Sequence, residues 1–295
     1  MYCASCGIAE LDDVKLMDCD GCDLVRYCSD ACQQDHRPEH EAKCKKRASE
    51  LRDEILFKQP ESTHLGDCPI CCVPLAIEEE KVASLSCCSK VVCNGCAIAE
   101  FVRQRGQNRQ YTSCPFCRCQ LSQSQIDEET KKNLMKRVAA NDPAALGKMG
   151  CMMRCDEGDY DEAFKYYTMA AELGDAMSHY NLSVMYKKGL GVEKDEKKKI
   201  YHLEEAAIAG HPEARHALAS CEEDNGEIER AVKHLIIAAN LGLEDAIKEL
   251  KECYKRELVS KEDFAAALRG HHAAVKAMKS PQREAVEKIM YGQNR

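Results

Sequence analysis

The residues with the clearest chemical potential in this chain are closely spaced cysteines. Seventeen of the 21 cysteines fall within residues 1–119, most of them at C-x2-C or C-x3-C spacing. Such pairs present two thiolates to one metal ion, and sets of four are the usual ligands of structural zinc. The first residues contain neither a positively charged region nor an apolar stretch typical of a secretory signal, so we expect a cytoplasmic or nuclear protein whose cysteines bind metal instead of forming disulfides.

Residues 1–44 contain eight candidate zinc ligands, enough for two tetrahedral sites. These are Cys3, Cys6, Cys19, Cys22, Cys28, Cys32, His40 and Cys44. A segment this short cannot bury enough apolar surface to order itself, so the metal must stabilise it. His36 is an alternative ligand to His40, but the x3 spacing between His40 and Cys44 places those two side chains on one helical face.

This segment resembles a MYND-type zinc finger, above all in the stretch from Arg26 to Asp35. The resemblance implies two interleaved sites, one formed by Cys3, Cys6, Cys28 and Cys32 and the other by Cys19, Cys22, His40 and Cys44. It also implies a protein-binding role, since MYND fingers often dock short proline-containing peptides. The sequence departs from the family at His36, where a tryptophan usually stands.

A second cysteine cluster occupies residues 65–122. Eight sulfurs there suggest two more zinc ions, and they belong to Cys68, Cys71, Cys87, Cys88, Cys93, Cys96, Cys114 and Cys117. The cluster resembles a RING-type finger. Cross-bracing in that family would place Cys68, Cys71, Cys93 and Cys96 on one zinc and Cys87, Cys88, Cys114 and Cys117 on the other.

The fourth ligand of the RING-like pattern is unusual. Lys90 stands where the family usually has a histidine, and a protonated lysine cannot bind a cation. The adjacent Cys87 and Cys88 are expected to supply the third and fourth ligands. Because two neighbouring ligands strain the peptide between them, His64, Cys72 and Cys119 remain alternatives.

The RING resemblance implies a ubiquitin ligase whose finger contacts a ubiquitin-conjugating enzyme. In that family an apolar residue between the first two ligands and a proline between the last two pack against the enzyme. Ile70 and Pro115 occupy these positions. Arg118 directly follows the last ligand, where a cation bridges ubiquitin and the enzyme.

The second half of the chain is repetitive and helical in pattern. An Ala-Ala pair precedes each of Gly174, Gly210 and Gly242, which are 36 and 32 residues apart. Glycine at this spacing predicts helix ends in the left-handed conformation, and the units resemble Sel-one-like, tetratricopeptide-like repeats. The resemblance implies an all-α solenoid that binds proteins. Ser178, Asn181 and Arg215 lie on its helices and are candidates for the binding surface.

The complete map is a set of small zinc-stapled α+β fingers followed by an all-α solenoid. Its parts are a MYND-type finger (1–44), a linker (45–64) with a short helix near Ala48 to Phe57, a RING-type finger (65–122), a connecting helix (123–140), a Sel-one-like α-solenoid (141–278) and a C-terminal tail (279–295). Ser260 and Asp263 resemble a capping box that starts the second helix of a fourth, weaker repeat.

Charge and motifs exclude several functions. The formal net charge is −8, which disfavours binding to nucleic acid or to anionic membrane surfaces, and no apolar stretch approaches the ~20 residues of a membrane span. No phosphate-binding loop, nucleophile elbow or dinucleotide fingerprint is present, so we expect no catalytic residues and no cofactor except zinc, about four ions per chain. The sequence thus favours a RING-type ubiquitin ligase, with a non-enzymatic scaffold of protein-binding modules as the alternative.

Overall fold

The structure is a computed structural model that describes residues 1–11, 14–85, 87–106, 112–121 and 126–291. The chain divides into two compact units, Met1–Lys58 and Gln59–Arg295. Each unit is described separately. In the described ranges, none of the helices combines the length and apolar character needed to cross a membrane.

The first unit consists of a short hairpin and one long helix. Strands β1 (Met17–Asp18) and β2 (Arg26–Tyr27) pair antiparallel, and helix α1 runs from Asp30 to Leu56. Ser29 caps α1 by accepting a hydrogen bond from the backbone N–H of Cys32. The core is small, with Cys3, Leu16 and Tyr27 buried together.

Helix α1 crosses the boundary that the sequence placed at residue 44. Residues 45–56, expected to belong to a linker with only a short helix, continue the same helix. No glycine interrupts residues 30–56, and Arg47 holds this part of the helix in place by donating to both carboxylate oxygens of Asp23 (2.7 and 2.9 Å). A helix held by charged side chains shows no apolar stripe in its sequence, which is why the sequence favoured a linker here.

The cysteine-rich part of the second unit is built around two hairpins and a helix. The elements are β3 (Val82–Leu85), β4 (Lys90–Cys93), α2 (Asn94–Gly106), β5 (Thr112–Ser113) and β6 (Gln120–Leu121), with a single 3-10 turn at Glu79–Lys81. Strand β3 pairs antiparallel with β4, and β5 with β6. Among its described residues, the buried cluster combines Leu75 and Val92 with ligand cysteines, and partly buried apolar side chains such as Val82 and Leu85 pack against it.

A series of helices follows. They are α3 (Ile126–Ala139), α4 (Pro143–Met152), α5 (Tyr160–Glu172), α6 (Ala176–Lys188), α7 (Glu196–Ile208), α8 (Pro212–Asp224), α9 (Ile228–Asn240), α10 (Glu244–Lys255) and α11 (Lys261–Ala277). A π-turn at Met153–Glu157 separates α4 from α5. The predicted connecting helix corresponds to α3, although residues 123–125 lie outside the described residues.

Each helix of the solenoid packs on the next, which is the arrangement expected of helical repeats. Ala163, Ala206 and Ala238 are completely buried, and these small side chains allow neighbouring helices to approach closely. The predicted cap at Ser260 is confirmed, since its side chain accepts from the backbone N–H of Asp263 at the start of α11. The cysteine-rich region followed by a helical solenoid is therefore the fold of this chain.

The C-terminal segment is not the tail that the sequence suggested. Residues Pro281–Tyr291 form a further helix, α12, that packs against α2, while residues 292–295 lie outside the described residues. Among the α12 side chains that the structure describes, those of Arg283 and Val286 are buried. With one buried apolar residue and one buried cation, the segment has too weak an amphipathic pattern to indicate a docked helix.

The repeat glycines adopt the predicted left-handed conformation, but their surroundings differ. Gly174 and Gly210 have φ angles of +85° and +84°. A Cβ atom at Gly174 would meet nothing within 4 Å, whereas one at Gly210 would lie 2.6 Å from the carbonyl oxygen of Ser62. The backbone N–H of His64 also donates to the carbonyl of Gly210 (3.0 Å). The turn at Gly210 is therefore a docking point for residues 62–64.

We expect Gly210→Ala to destabilise the protein more than Gly174→Ala. Both variants impose a left-handed alanine, at a cost of about 1 kcal/mol. Gly210→Ala must also displace the Ser62 carbonyl, which we expect to add about 1–3 kcal/mol. Urea unfolding followed by circular dichroism measures the difference, and hydrogen exchange should show faster exchange of residues 59–66 in Gly210→Ala alone. Equal losses of stability in the two variants would contradict this account.

Candidate metal centres

The structure brings the sixteen predicted ligands into four groups of four. In each group the ligand atoms lie within 4.8 Å of one another. The groups are named here site 1 (Cys3, Cys6, Cys28, Cys32), site 2 (Cys19, Cys22, His40, Cys44), site 3 (Cys68, Cys71, Cys93, Cys96) and site 4 (Cys87, Cys88, Cys114, Cys117). Sites 1 and 2 interleave along the chain, and sites 3 and 4 do the same.

The spacing of the ligand atoms fits tetrahedral zinc. With zinc–sulfur bonds of about 2.3 Å, the sulfurs of a tetrahedral site lie about 3.8 Å apart. The observed separations are 3.6 Å for Cys6–Cys28, 3.7 Å for Cys19–Cys44 and 3.9 Å for Cys71–Cys93. In site 4, Cys88 and Cys114 are 3.7 Å apart. Four sulfur or nitrogen ligands at these distances leave no open position for a substrate, which is typical of structural zinc.

Helix α1 contributes ligands to both sites of the first unit. Cys32 lies in its first turn and belongs to site 1, while His40 and Cys44 lie one turn apart further along and belong to site 2. The hairpin β1–β2 and its connecting loop supply Cys19 and Cys22. Because one rigid helix carries ligands of both sites, metal in either site holds the hairpin against α1.

The structure places His40, and not His36, among the site 2 ligands. His40 is buried and its Nε2 lies 3.1 Å from the sulfur of Cys22. His36 hydrogen-bonds through Nδ1 to the hydroxyl of Tyr27 (3.0 Å) and stacks on the His40 ring. His36 thus packs beside the site, at the position where the MYND pattern has an aromatic residue.

Two thiols of site 1, those of Cys3 and Cys28, have pKa values shifted in opposite directions. A hydrogen bond from the backbone N–H of Cys6 lowers the pKa of Cys3 to about 6. Hydrogen bonds with the sulfurs of Cys6 and Cys32 raise the pKa of Cys28 to about 12, because ionising a second thiol beside a thiolate is unfavourable. A divalent metal that replaces the shared protons removes this repulsion, so metal binding here is coupled to proton release.

Site 4 includes the two adjacent cysteines. Cys87 and Cys88 lie in the turn between β3 and β4, where the backbone N–H of Cys88 donates to the carbonyl of Leu85 (3.1 Å). Ser89 follows with a φ angle of +54°, which turns the chain sharply after the pair. Lys90 is exposed at the start of β4.

The three alternative ligands lie elsewhere. The ring of His64 stacks on that of His211 with 4.3 Å between centroids. Cys72 is exposed, and the sulfur of Cys119 accepts a long contact from Asn133 Nδ2 (3.9 Å). None of the three belongs to a four-ligand group among the described residues.

The residues expected to contact a conjugating enzyme lie on the surface beside sites 3 and 4. Ile70 is 42% exposed, so its apolar side chain is available for contact with another protein. Pro115 and Arg118 are exposed in the loop that carries Cys114 and Cys117. Arg118 has a φ angle of +58°, and its backbone N–H donates to the carbonyl of Cys114 (3.0 Å).

Two of the three residues suggested for a solenoid binding surface are buried. Ser178 and Arg215 are both fully inaccessible, and Arg215 Nη1 lies 3.5 Å from His234 Nδ1 inside the repeats. Asn181 is half-buried and donates to the carbonyl of Met177 one turn earlier. The suggestion was wrong for Ser178 and Arg215, because polar residue type alone does not reveal which face of a helix is covered by the next repeat.

Sequence reasoning missed Arg283, which contacts site 3 from α12. Its Nη2 lies 3.5 Å from the sulfur of Cys71. A signal was present, because Ser280 followed by Pro281 is a typical helix start. The side chain of Ser280 accepts from the backbone N–H of Arg283 (3.3 Å), as a capping residue does.

Comparison with known families identifies parts of the chain. The MYND finger model matches residues 3–44, which contain all the ligands of sites 1 and 2. The Sel1 repeat model matches three segments, residues 144–175, 176–211 and 212–243. Each segment contains one of the pairs α4–α5, α6–α7 and α8–α9, while α10 and α11 lie beyond the matched repeats.

Individual relatives match over limited lengths. The chain is 50% identical over 40 residues to the "ERAD-associated E3 ubiquitin-protein ligase component HRD3B" of Arabidopsis thaliana, a match that covers 14% of this chain and 7% of that protein. A Sel1 repeat protein from Oxalobacter formigenes has a similar structure, with 31% identity, a TM-score of 0.46, and coverage of 53% of this chain and 66% of that one. The antigen c5321 of uropathogenic Escherichia coli, which has an SLR fold, is 19% identical with a TM-score of 0.42, covering 58% and 43% respectively.

The two family models agree with the ligand groups of the first unit and with the helical repeats. Both MYND fingers and Sel1 repeats are protein-interaction modules. MYND fingers bind zinc, and the four groups of ligands are suited to several zinc ions. The chain therefore carries a zinc-binding MYND finger at residues 3–44 and three Sel1 repeats within residues 144–243.

Proposed function

We propose that residues 65–122 form a RING-type finger and that the chain is a RING-type ubiquitin ligase. The observation that carries the proposal is the interleaved pair of sites 3 and 4 with Ile70, Pro115 and Arg118 exposed beside them. The finger would bind a ubiquitin-conjugating enzyme, and the MYND finger and the repeats would hold a substrate or scaffold protein.

Zinc in such a finger has no direct part in the reaction. The reaction is attack of a lysine amine on the ubiquitin thioester carried by the conjugating enzyme, and a closed four-ligand site offers neither water nor a Lewis-acid position. The finger acts by restraining the conjugate in a reactive orientation, an effect that can remove several kcal/mol from a barrier. The planar guanidinium of Arg118 has the donors needed to bridge two proteins.

The relative from Arabidopsis thaliana gives limited support. Its name describes a component of a ubiquitin ligase, and the matched stretch is 40 residues long. A stretch of that length is suited to a repeat or two and not to a whole ligase. It favours a role for this chain in ubiquitin ligation without assigning the catalytic step to it.

A non-enzymatic scaffold is the second candidate. It is favoured by Lys90 and by the adjacent Cys87 and Cys88, which depart from the usual RING ligand pattern. In this case the zinc ions only stabilise the fingers, and all modules bind proteins. Ubiquitin transfer with a broad panel of conjugating enzymes separates the two candidates.

We expect about four zinc ions per chain, with all sixteen residues of sites 1–4 as ligands. His40→Ala should remove one ion because it deletes a ligand of site 2. His36→Ala, on the same helix, should retain all four because its ring only packs against His40 and Tyr27. Elemental analysis of protein purified without chelator measures the zinc content of both variants. Two ions or fewer in the unmodified protein would show that one finger is not a metal site.

Removal of zinc should affect the two kinds of structure differently. The cysteine-rich residues 1–119 depend on metal, whereas the repeats rest on buried alanine and leucine side chains. After treatment with chelator, hydrogen exchange should accelerate throughout residues 1–119, and most of the helical circular dichroism of residues 141–278 should remain. Cooperative loss of all helical signal would contradict this separation.

Ile70→Ala should abolish ubiquitin chain formation, because it removes the apolar contact with the conjugating enzyme while leaving zinc content intact. Ile55→Ala is the matched control, since Ile55 is also an exposed isoleucine, on α1. Arg118→Ala should slow discharge of the ubiquitin thioester about 10-fold, equivalent to about 1.4 kcal/mol, and leave the weak binding of the enzyme unchanged. Zinc-replete protein that discharges no conjugate from any enzyme of the panel would establish the scaffold instead.

A further inference from the structure

Arg283 of α12 is a buried cation that contacts the cysteine-rich part of the second unit. Its Nη1 donates to the carbonyl oxygens of Pro74 (2.6 Å) and Met278 (2.7 Å). Its Nη2 donates to the carbonyl of Val73 (2.9 Å) and to the sulfur of Cys71 (3.5 Å). The residue is only 8% exposed, so its charge is largely removed from water and must be balanced locally.

The close approach of α12 to site 3 depends on Gly95, which lies between the ligands Cys93 and Cys96. A Cβ atom at Gly95 would lie 3.1–3.2 Å from Arg283 atoms, including its backbone nitrogen and Cα. On the other side of this contact, the side chain of Gln282 donates to the Gly95 carbonyl (3.1 Å). The start of α12 therefore rests directly on the backbone between two ligands of site 3.

The charge of an occupied site explains why a cation is placed there. Four thiolates around one Zn²⁺ carry a net charge of about −2. Cys68, Cys93 and Cys96 are buried, so water solvates this charge poorly. Arginine stays protonated in this setting and donates in several directions at once, here to a ligand sulfur and to the loop of Val73 and Pro74 that follows it.

We propose that Arg283 is an outer-sphere hydrogen-bond donor to the thiolates of site 3, so that zinc binding at site 3 and docking of α12 stabilise each other. The inference rests on the proposed zinc ligation of site 3. Groups that hydrogen-bond to metal ligands raise metal affinity when they fit the occupied site. By thermodynamic linkage, zinc must then favour the docked helix by the same factor.

The linkage predicts a change in zinc affinity at one site only. In the full chain, Arg283→Gln should lower the affinity of one of the four ions about 10- to 100-fold in competition with a chromogenic chelator. Lys288→Gln is the matched control, because Lys288 is an exposed cation on the same helix, and it should leave all four affinities unchanged. Arg283→Lys keeps the positive charge but loses the forked donors. Its affinity for zinc at site 3 should therefore be higher than that of Arg283→Gln and lower than that of the unmodified protein.

Hydrogen exchange provides the reciprocal measurement. Cys71→Ser removes one ligand of site 3 and should accelerate exchange of residues 281–291 while leaving α8 unchanged. The inference is overturned if Arg283→Gln leaves all four zinc affinities at their original values, including the case in which it only loosens α12. Protein that binds no zinc at site 3 would instead overturn the proposed ligation, a result that elemental analysis distinguishes.

Discussion

In the zinc-bound state that we propose for sites 1–4, bonds between zinc and its ligands take the place of a large hydrophobic core in the cysteine-rich residues that the structure describes. Outside the ligands, the cysteine-rich part of the second unit buries Leu75 and Val92 and little else that is apolar. Structural zinc contributes roughly 10–16 kcal/mol in small finger peptides, far more than the burial of two such side chains. Because each site joins residues from two separated stretches of sequence, the same bonds also define the topology. The positions of Ile70, Pro115 and Arg118 therefore depend on metal, even though none of them touches it.

The repeats obey a different constraint, namely the space between neighbouring helices. Fully buried alanines such as Ala163 and Ala206 fill that space. The helices that carry these alanines end at glycines in the left-handed conformation. A helix pair of this kind exposes an apolar face until the next pair covers it. That dependence on the neighbour also explains why polar side chains such as Arg215 become buried between helices. A protein partner of the repeats must therefore bind to the helix faces that the neighbouring repeats leave exposed.

The sequence was sufficient for features that depend on spacing and insufficient for those that depend on single polar contacts. The ligand spacing predicted the four groups of ligands and the MYND finger, and the glycine period predicted the repeats, since tetrahedral geometry and helix ends restrict where cysteine and glycine can stand. The extent of α1 and the existence of α12 were missed, because each is held by an arginine, Arg47 or Arg283, whose partners are carboxylates or carbonyls far along the chain. Periodicity analysis responds to apolar stripes and does not detect a surface ion pair or a buried cation on a backbone carbonyl.

Residues 59–64, which lead into the cysteine-rich part, join it to the repeats through backbone, side-chain and aromatic contacts. Residues 59–64 contact the turns of the repeats, where Gln59 accepts from Asn240 (3.1 Å) and the backbone of His64 donates to Gly210. The stack of His64 on His211 and of His211 on Tyr180 adds an aromatic contact to the same segment. Together with the contacts of α12 to Val73, Pro74 and Gly95, these contacts hold the cysteine-rich part against the rest of the second unit. In the proposed ligase, a protein bound to the repeats would then lie at a fixed distance from a conjugating enzyme at Ile70. A fixed distance limits which lysines reach the thioester, so substrate selection would depend on geometry as well as on affinity.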